Sequence, residues 1–248
     1  KDHETAEITL GNGDKLSGTV QLKPIRLSTL FGDIRVGIAH IRRISILLPA
    51  GQISDQLRRG LVLYYSFDND DAGTVKDDSG NGHHGVLRSA RWTPDGYKGG
   101  AYVFHGSSSF IEAIPPPTQA GSLSVAAWIR TALVPHGLRW IVTRSPWQNG
   151  AWQLMIANGK GAAEFDSGGM FIGQRTVTDG QWHHLVAVYD DSTCERLLYV
   201  DGELDATDKT KGRFRENANP IQIGKRADMA PCFVGTIDEV MLFNRALS

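Results

Sequence analysis

An all-β protein in two parts is what the sequence predicts: a small barrel over residues 1–48, a linker over 49–60 and a two-sheet β-sandwich over 61–248. Three observations predict it. Short runs alternate apolar and polar residues, the period of a half-buried strand. The 248 residues include 28 Gly and 10 Pro, the residues that turn a chain. Stretches rich in Ala, Leu, Glu and Lys, which mark helical proteins, are nearly absent.

The first part opens with Ala6-Glu7-Ile8-Thr9-Leu10, turns at Gly11-Asn12-Gly13-Asp14 and returns through Lys15-Leu16-Ser17-Gly18-Thr19-Val20-Gln21-Leu22. Alternating strands around Asn-Gly are a strong hairpin signal, because both turn residues must take positive φ. Residues 25–30 and 34–38, joined at Phe31-Gly32-Asp33, repeat the pattern, and 40–46 supplies a fifth short strand. Five twisted strands can close on themselves around Ile8, Leu10, Leu16, Val20, Leu27, Ile34, Val36, Ile41 and Ile44, leaving no long bare edge. The mixture of Pro, Gly and charge from Pro49 to Gly60 reads as a linker or a short connecting helix.

The second part has longer strands, expected at 61–67, 101–104, 110–113, 122–130, 140–143, 152–157, 161–166, 183–189, 195–200, 220–223 and 235–243. So many alternating strands separated by turn residues argue for two antiparallel sheets packed face to face. Trp128, Trp152 and Trp182 lie in strand patterns and read as core.

Composition excludes several classes of function. With 26 Lys+Arg against 27 Asp+Glu, the net charge of -1 offers nothing that would draw the chain to nucleic-acid backbones or anionic lipid. A hydrophobic share of 41% excludes a disordered chain, and no apolar run approaches the roughly 18 residues of a spanning helix. The chain opens at Lys1 with no signal-peptide pattern, and is expected to start at a terminus from which a leader has been removed. Cys194 and Cys232 lie too far apart in sequence for a zinc motif; a single disulfide and two separate buried thiols both remain open.

The order of motifs in the second part is more specific than its composition. Leu61-Val62-Leu63-Tyr64-Tyr65-Ser66-Phe67-Asp68 is followed by Asp77-Asp78-Ser79-Gly80-Asn81-Gly82-His83-His84-Gly85. Gly99-Gly100-Ala101-Tyr102-Val103-Phe104, Ser124-Val125-Ala126-Ala127-Trp128-Ile129-Arg130 and Gly180-Gln181-Trp182-His183-His184-Leu185 come next. Leu197-Leu198-Tyr199-Val200-Asp201-Gly202 and Val234-Gly235-Thr236-Ile237-Asp238-Glu239-Val240 close the series. These blocks resemble the bacterial laminin-G-like branch of the concanavalin A-like lectin/glucanase superfamily. The resemblance implies a jelly-roll sandwich of the kind attached to exported or surface proteins that handle polysaccharides, and no single activity. The first part, with Asn12-Gly13-Asp14-Lys15 and Thr29-Leu30-Phe31-Gly32, resembles a small SH3- or Sm-like barrel. An Sm-like barrel could suggest RNA, but Arg42-Arg43 is its only paired basic run and it lacks a set of aromatics for stacking bases, which favours a spacer.

Calcium takes six to eight oxygens, and Asp68, Asp78 and Asn81 with the carbonyls of a Gly-rich turn could supply them. The resemblance implies Ca2+ in such loops, with Asp238 or Glu239 near it. Asp78-Ser79-Gly80-Asn81-Gly82 also reads as a turn that needs no metal. Asp68-Asn69-Asp70-Asp71 lacks the Gly and terminal Glu of an EF-hand. His83-His84 and His183-His184 are expected to point to opposite faces of their strands, so that neither pair chelates one ion.

Glycoside hydrolysis needs two carboxylates at a defined separation across the scissile bond. Glucanases of the superfamily carry them as Glu-x-Asp-x-x-Glu on one strand; here Glu164 and Asp166 match, and Gly169 stands where the third acid belongs. Asp201 and Asp205 read as residues that shape the Asp201-Gly202 turn, and no nucleophile elbow, P-loop or dinucleotide fingerprint occurs. Catalysis is therefore disfavoured. Sugar recognition asks for an aromatic platform with convergent polar groups. The loop Arg144-Ser145-Pro146-Trp147-Gln148-Asn149-Gly150 has them: Arg144, Trp147, Gln148 and Asn149 are the candidate sugar contacts, although Trp147 could equally fold back over the sandwich edge. The candidate metal residues are Asp68, Asp78, Asn81 and Asp238.

The expectation is a non-catalytic module of an exported, periplasmic or cell-surface bacterial protein, binding a polysaccharide or a glycosylated protein, with Ca2+ fixing its loops. The alternatives are a hydrolase or lyase with carboxylates outside the usual strand, and a structural adhesion or spacer segment.

Overall fold

The structure is a computed structural model. It describes residues 5–9, 15–19, 25–29, 32–36 and 55–247, apart from 71–72, 107, 114–120, 134–135, 146–149, 211–214, 216–218 and 228–231. The chain divides into two compact units, Lys1–Arg58 and Arg59–Ser248.

In the first unit, β1 (Thr5–Thr9) pairs antiparallel with β2 (Lys15–Thr19), and β3 (Ile25–Thr29) with β4 (Gly32–Val36). Both expected hairpins form, but the second turns one step earlier than expected. Thr29 pairs with Gly32, so Gly32 and Asp33 belong to the returning strand. The described residues form two separate two-stranded sheets and no closed barrel. The fifth strand expected over 40–46 lies outside the described residues. The short helix α1 (Asp55–Arg58) ends this unit.

The second unit is a sandwich of two antiparallel sheets. The front sheet runs β18 (Glu203–Lys209), β17 (Glu195–Val200), β16 (Trp182–Asp190), β11 (Leu123–Arg130), β20 (Val234–Phe243), β9 (Ala101–His105) and β8 (Arg91–Thr93). The long β20 serves two neighbours on one edge. Its first half pairs with β9, and its second half pairs with β5 (Leu61–Tyr65). The back sheet runs β15 (Met170–Thr176), β14 (Lys160–Phe165), β13 (Trp152–Ala157), β12 (Leu138–Arg144), β19 (Ile221–Ile223), β10 (Phe110–Ala113), β7 (Gly85–Arg88) and β6 (Thr74–Val75).

Alternation fills the space between the sheets. Leu123, Val125, Ala127 and Ile129 from the front meet Trp152, Leu154, Ile156, Ala163 and Phe165 from the back in one core. Gly161 brings the layers close: a Cβ there would lie 3.2 Å from Leu185 Cδ2 of the front sheet. Two of the register shifts between strands bear on the sites described below. At Trp140/Val142 the register of β12 slips, so that Ile141 and Val142 both enter the core while Trp140 goes to the opposite face. At Asp238–Glu239 the β20 register slips against β11, and Glu239 takes φ 49. A bulge re-aims side chains, and here two consecutive acids both lie buried beside the turn at 95–100.

One expectation about the core is corrected. Trp152 is fully buried in it, whereas Trp128 and Trp182 are half-buried on the outer face of the front sheet. Their partners give the reason: Trp128 pairs with His184 and Asp238, on the face opposite Ile129. Cys194 and Cys232 are free thiols. No helix among the described residues is long and apolar enough to cross a membrane.

Candidate functional site

The turn after β5 is organised by Asp77. Its carboxylate accepts the backbone N–H groups of Tyr64 and Ser79 at 3.0 Å and of His83 at 2.9 Å. Burial works against its charge, but these bonds and the Ser79 hydroxyl outweigh it and hold the carboxyl below its ordinary value. His84 Nδ1 accepts the Asp77 N–H at 3.1 Å, and Tyr65 donates its hydroxyl to the His83 carbonyl at 2.7 Å. The first histidine pair thus stitches one turn.

The candidate metal residues are held as follows. Asp78 pairs with Lys76 Nζ at 2.7 Å and accepts the Ser66 hydroxyl at 2.6 Å. Asn81 donates its amide to the carbonyls of Leu61 and Val62 at 3.0 and 2.9 Å. Asp68 and Asp238 approach another feature, the turn at 95–100. A Cβ on Gly99 would run into Asp68 Oδ1, and Asp238 Oδ2 accepts the Lys98 N–H at 3.1 Å. Asp238 is fully buried, and burial, aided by the charge of Glu239, pushes its carboxyl up to about 7 against the pull of the backbone donors. Glu239 accepts the Tyr64 hydroxyl at 2.8 Å, and Lys98 Nζ is 4.0 Å from it. Among the described residues no group of three or more His, Cys, Asp and Glu side chains is placed to hold a metal ion. The donor set therefore fits a hard cation in part: Asp68 and Asp238 share one turn, while Asp78 and Asn81 are engaged by other partners.

The turn at 95–100 also carries aromatic residues. Tyr97 stacks on Trp128 with centroids 3.4 Å apart, Trp128 on His184 at 4.9 Å, and Trp182 meets Tyr97 edge-on at 6.2 Å. Arg130 lies over Trp182 and pairs with Asp95 at 2.8 Å. The second histidine pair splits between faces, as alternation requires. While His184 stacks outside, His183 lies between Asp201 at 2.8 Å and Asp179 at 3.0 Å.

Of the loop residues expected to contact sugar, Arg144 is fully buried, and its Nε donates to the Asn219 carbonyl at 3.1 Å. It pairs with Trp152 and Ile221, both core residues. Trp147, Gln148 and Asn149 lie outside the described residues.

A row of residues, of which the sequence motifs singled out only Glu164, lies on the outer face of the back sheet. The registers place Glu164, Gln153, Thr143, Gln222 and Glu112 side by side across five strands, each flanked in its own strand by core residues except Thr143, which lies between Val142 and the buried Arg144. Thr143 donates to the Lys225 carbonyl at 2.9 Å, and Gln222 Nε2 to Glu112 at 3.0 Å. Both amide atoms of Gln153, Gln222 Oε1 and the nearby Trp140 Nε1 are buried without a hydrogen-bond partner. Beside this row Trp140, Met155, Ala157 and Ala162 form a second apolar cluster. Neighbouring strands lie about 4.8 Å apart, so the strands that carry Glu164 and Glu112 are roughly 19 Å from each other. Only the cross-strand register of alternating strands could have exposed this row, and the sequence does not state which strands pair.

The comparisons agree with this architecture. Residues 100–248 match a laminin-G-type family model described as the concanavalin A-like lectin/glucanases superfamily. A search of the curated proteins found no match. Among solved structures, the chain is similar to domain 4 of AbnA, an extracellular arabinanase from Geobacillus stearothermophilus, in complex with arabinotriose. The TM-score is 0.62 at 22% identity, covering 76% of this chain and 94% of that one. It is also similar to a botulinum neurotoxin type C structure whose cell entry depends on two ganglioside molecules (TM-score 0.62, 15% identity, 78% of this chain and 50% of that one). A third is the botulinum neurotoxin serotype D ligand-binding domain with N-acetylneuraminic acid (TM-score 0.61, 16% identity, 77% and 49%). The chain thus spans about half the length of the toxin chains it matches. With a family model matching more than half of its residues and a two-sheet jelly roll to carry the match, the chain belongs to the concanavalin A-like lectin/glucanases superfamily.

Proposed function

We propose that the 59–248 sandwich is a non-catalytic carbohydrate-binding module of an exported bacterial protein. The observation that carries this reading is the polar row on the back sheet. It carries amide and carboxylate groups of the kind that bind sugar hydroxyls, the Gln153 amide among them with no partner in the protein, and its two end acids stand on strands roughly 19 Å apart, against the roughly 5 to 9.5 Å between the carboxyls of a hydrolytic pair. Gly169 in place of the third acid of the glucanase motif points the same way. Fold neighbours solved with arabinotriose and N-acetylneuraminic acid support a glycan as the ligand class.

Two finer elements belong to this proposal. Calcium is a turn-stabilising ion held by Asp68 and Asp238 with backbone carbonyls, and its charge would offset the burial of Asp238. The residues Trp147, Gln148 and Asn149 add a further sugar contact.

The test is a glycan array probed with the full chain, with and without EDTA, beside a reducing-sugar assay on a polysaccharide panel. The expected result is binding without sugar release. Absence of binding to any glycan, or release that a Glu164→Gln variant abolishes, contradicts the reading.

A further inference from the structure

The second tryptophan cluster lies on the wrong side of its sheet for a core residue, and it has polar neighbours with nothing to bond. Trp140, Gln153 and Gln222 come from adjacent strands β12, β13 and β19 and share the outer face. Gln153 is fully buried with both amide atoms unpaired, Gln222 keeps Oε1 unpaired, and Trp140 keeps its indole N–H unpaired. An unmet buried hydrogen-bonding group destabilises the fold that buries it, and three such residues on one face are more than a stable sheet needs. Met or Leu at 153 would fill the same space at no such cost. We propose that this patch is a subsite for a neutral saccharide, whose hydroxyls take the amide and indole groups that the protein leaves unpaired. The assignment rests on the glycan-binding reading above and deepens it to a site and a ligand class.

The charges around the patch select a neutral ring. Glu164 and Glu112 bracket the row, so an anionic sugar would face a carboxylate at either end. Of the nearby cations, Arg226 lies 5.2 Å over the Trp140 ring and its charge also acts on Glu164, while Lys225 lies 4.4 Å over Phe110. The position of Arg226 also suggests the mode of entry. Its guanidinium covers the indole face on which the apolar side of a pyranose or furanose would stack. A sugar that displaces it exchanges one stacking partner for another and reaches the amides beneath. The cost of Gln153 in the free protein is then recovered in the complex, the usual trade of stability for function.

The test is isothermal titration of the full chain with arabinotriose, cellotetraose, xylotetraose, mannotetraose and 3′-sialyllactose, using wild type, Gln153→Met, Trp140→Phe and Arg226→Ala, with the melting temperature of each. Gln153→Met is expected to weaken binding of a neutral oligosaccharide at least tenfold while its melting temperature stays equal or rises. Trp140→Phe, which keeps a ring but removes the donor, weakens binding severalfold, and Arg226→Ala leaves it intact or tighter. Wild-type binding that Gln153→Met does not change overturns the subsite and leaves the module reading standing. A Gln153→Met that melts several degrees lower shows a structural amide and also overturns it. Tighter binding of sialyllactose than of any neutral probe overturns the neutral class. No binding of any probe overturns the subsite, and only the wider glycan array then decides the module reading.

Discussion

Trp128 stands directly across the β11–β20 ladder from Asp238, and between them they hold both the side chain and the backbone of one turn. The indole carries the Tyr97 ring at 3.4 Å, and the carboxylate accepts the Lys98 N–H at 3.1 Å. Stacked aromatic pairs contribute about 0.5–1.5 kcal/mol beyond the area they bury. A double-mutant cycle over Tyr97→Ala and Trp128→Ala should return a coupling of that size. Hydrogen exchange at residues 95–100 should quicken in the Tyr97→Ala variant while that of β11 does not.

Asp238 makes stability depend on pH. Its carboxyl is raised in the folded protein, so its contribution is fully present below the unfolded value of about 3.9 and is lost as pH rises through about 7. In EDTA, the melting temperature of wild type should fall between pH 5 and 8 more steeply than that of Asp238→Asn. If calcium occupies the Asp68–Asp238 position, adding it should recover most of the wild-type loss at pH 8 and none of the variant's.

His183 titrates in the same direction for a different reason. Burial disfavours its charged form, but the hydrogen bonds to Asp201 and Asp179 outweigh this and raise its value. The stabilisation is therefore complete below about 6.5 and fades as pH climbs through the raised value. Relative to His183→Gln, wild type should be most favoured near pH 6, and the gap should shrink toward pH 9. A gap that widens with pH contradicts the clamp.

Gly224 closes the connection between β19 and β20. It has φ 82, its N–H bonds the Ile141 carbonyl at 2.8 Å, and a Cβ there would run into the Phe104 ring. Gly224→Ala should cost about 1–3 kcal/mol from overpacking, with the left-handed backbone adding to it. Chemical denaturation would show this as a lower midpoint with an unchanged slope.

Particular residues show how much of this was legible in the sequence. The strand expected at 195–200 is β17 to the residue, and those at 122–130, 183–189 and 235–243 are one residue off at one or both ends. These are central strands, where burial on one face enforces alternation. The edge strands β15 and β18 were not expected. In β18 (Glu203–Lys209) only Leu204 and Ala206 are apolar, and Leu204 is exposed, because an edge strand with little to bury leaves a weak apolar pattern. Alternation also cannot say which set of a strand faces inward, so Trp128 and Trp182 read as core. The register shifts that turn Trp140 outward and bury Asp238 together with Glu239 are events between strands, invisible along one of them. For the same reason the sequence pointed to the loop at 144–150 and to Glu164, but not to the row that joins Glu164 to Gln153, Gln222 and Glu112.

A sandwich that holds a glycan without cutting it binds a polymer and leaves its length unchanged. Affinity electrophoresis of the full chain through gels containing neutral polysaccharides, with the same polymers assayed for new reducing ends, measures both halves at once. Retarded migration in at least one polymer and no new reducing ends is the predicted result. Unretarded migration in every gel, or reducing ends that accumulate with time, would contradict it.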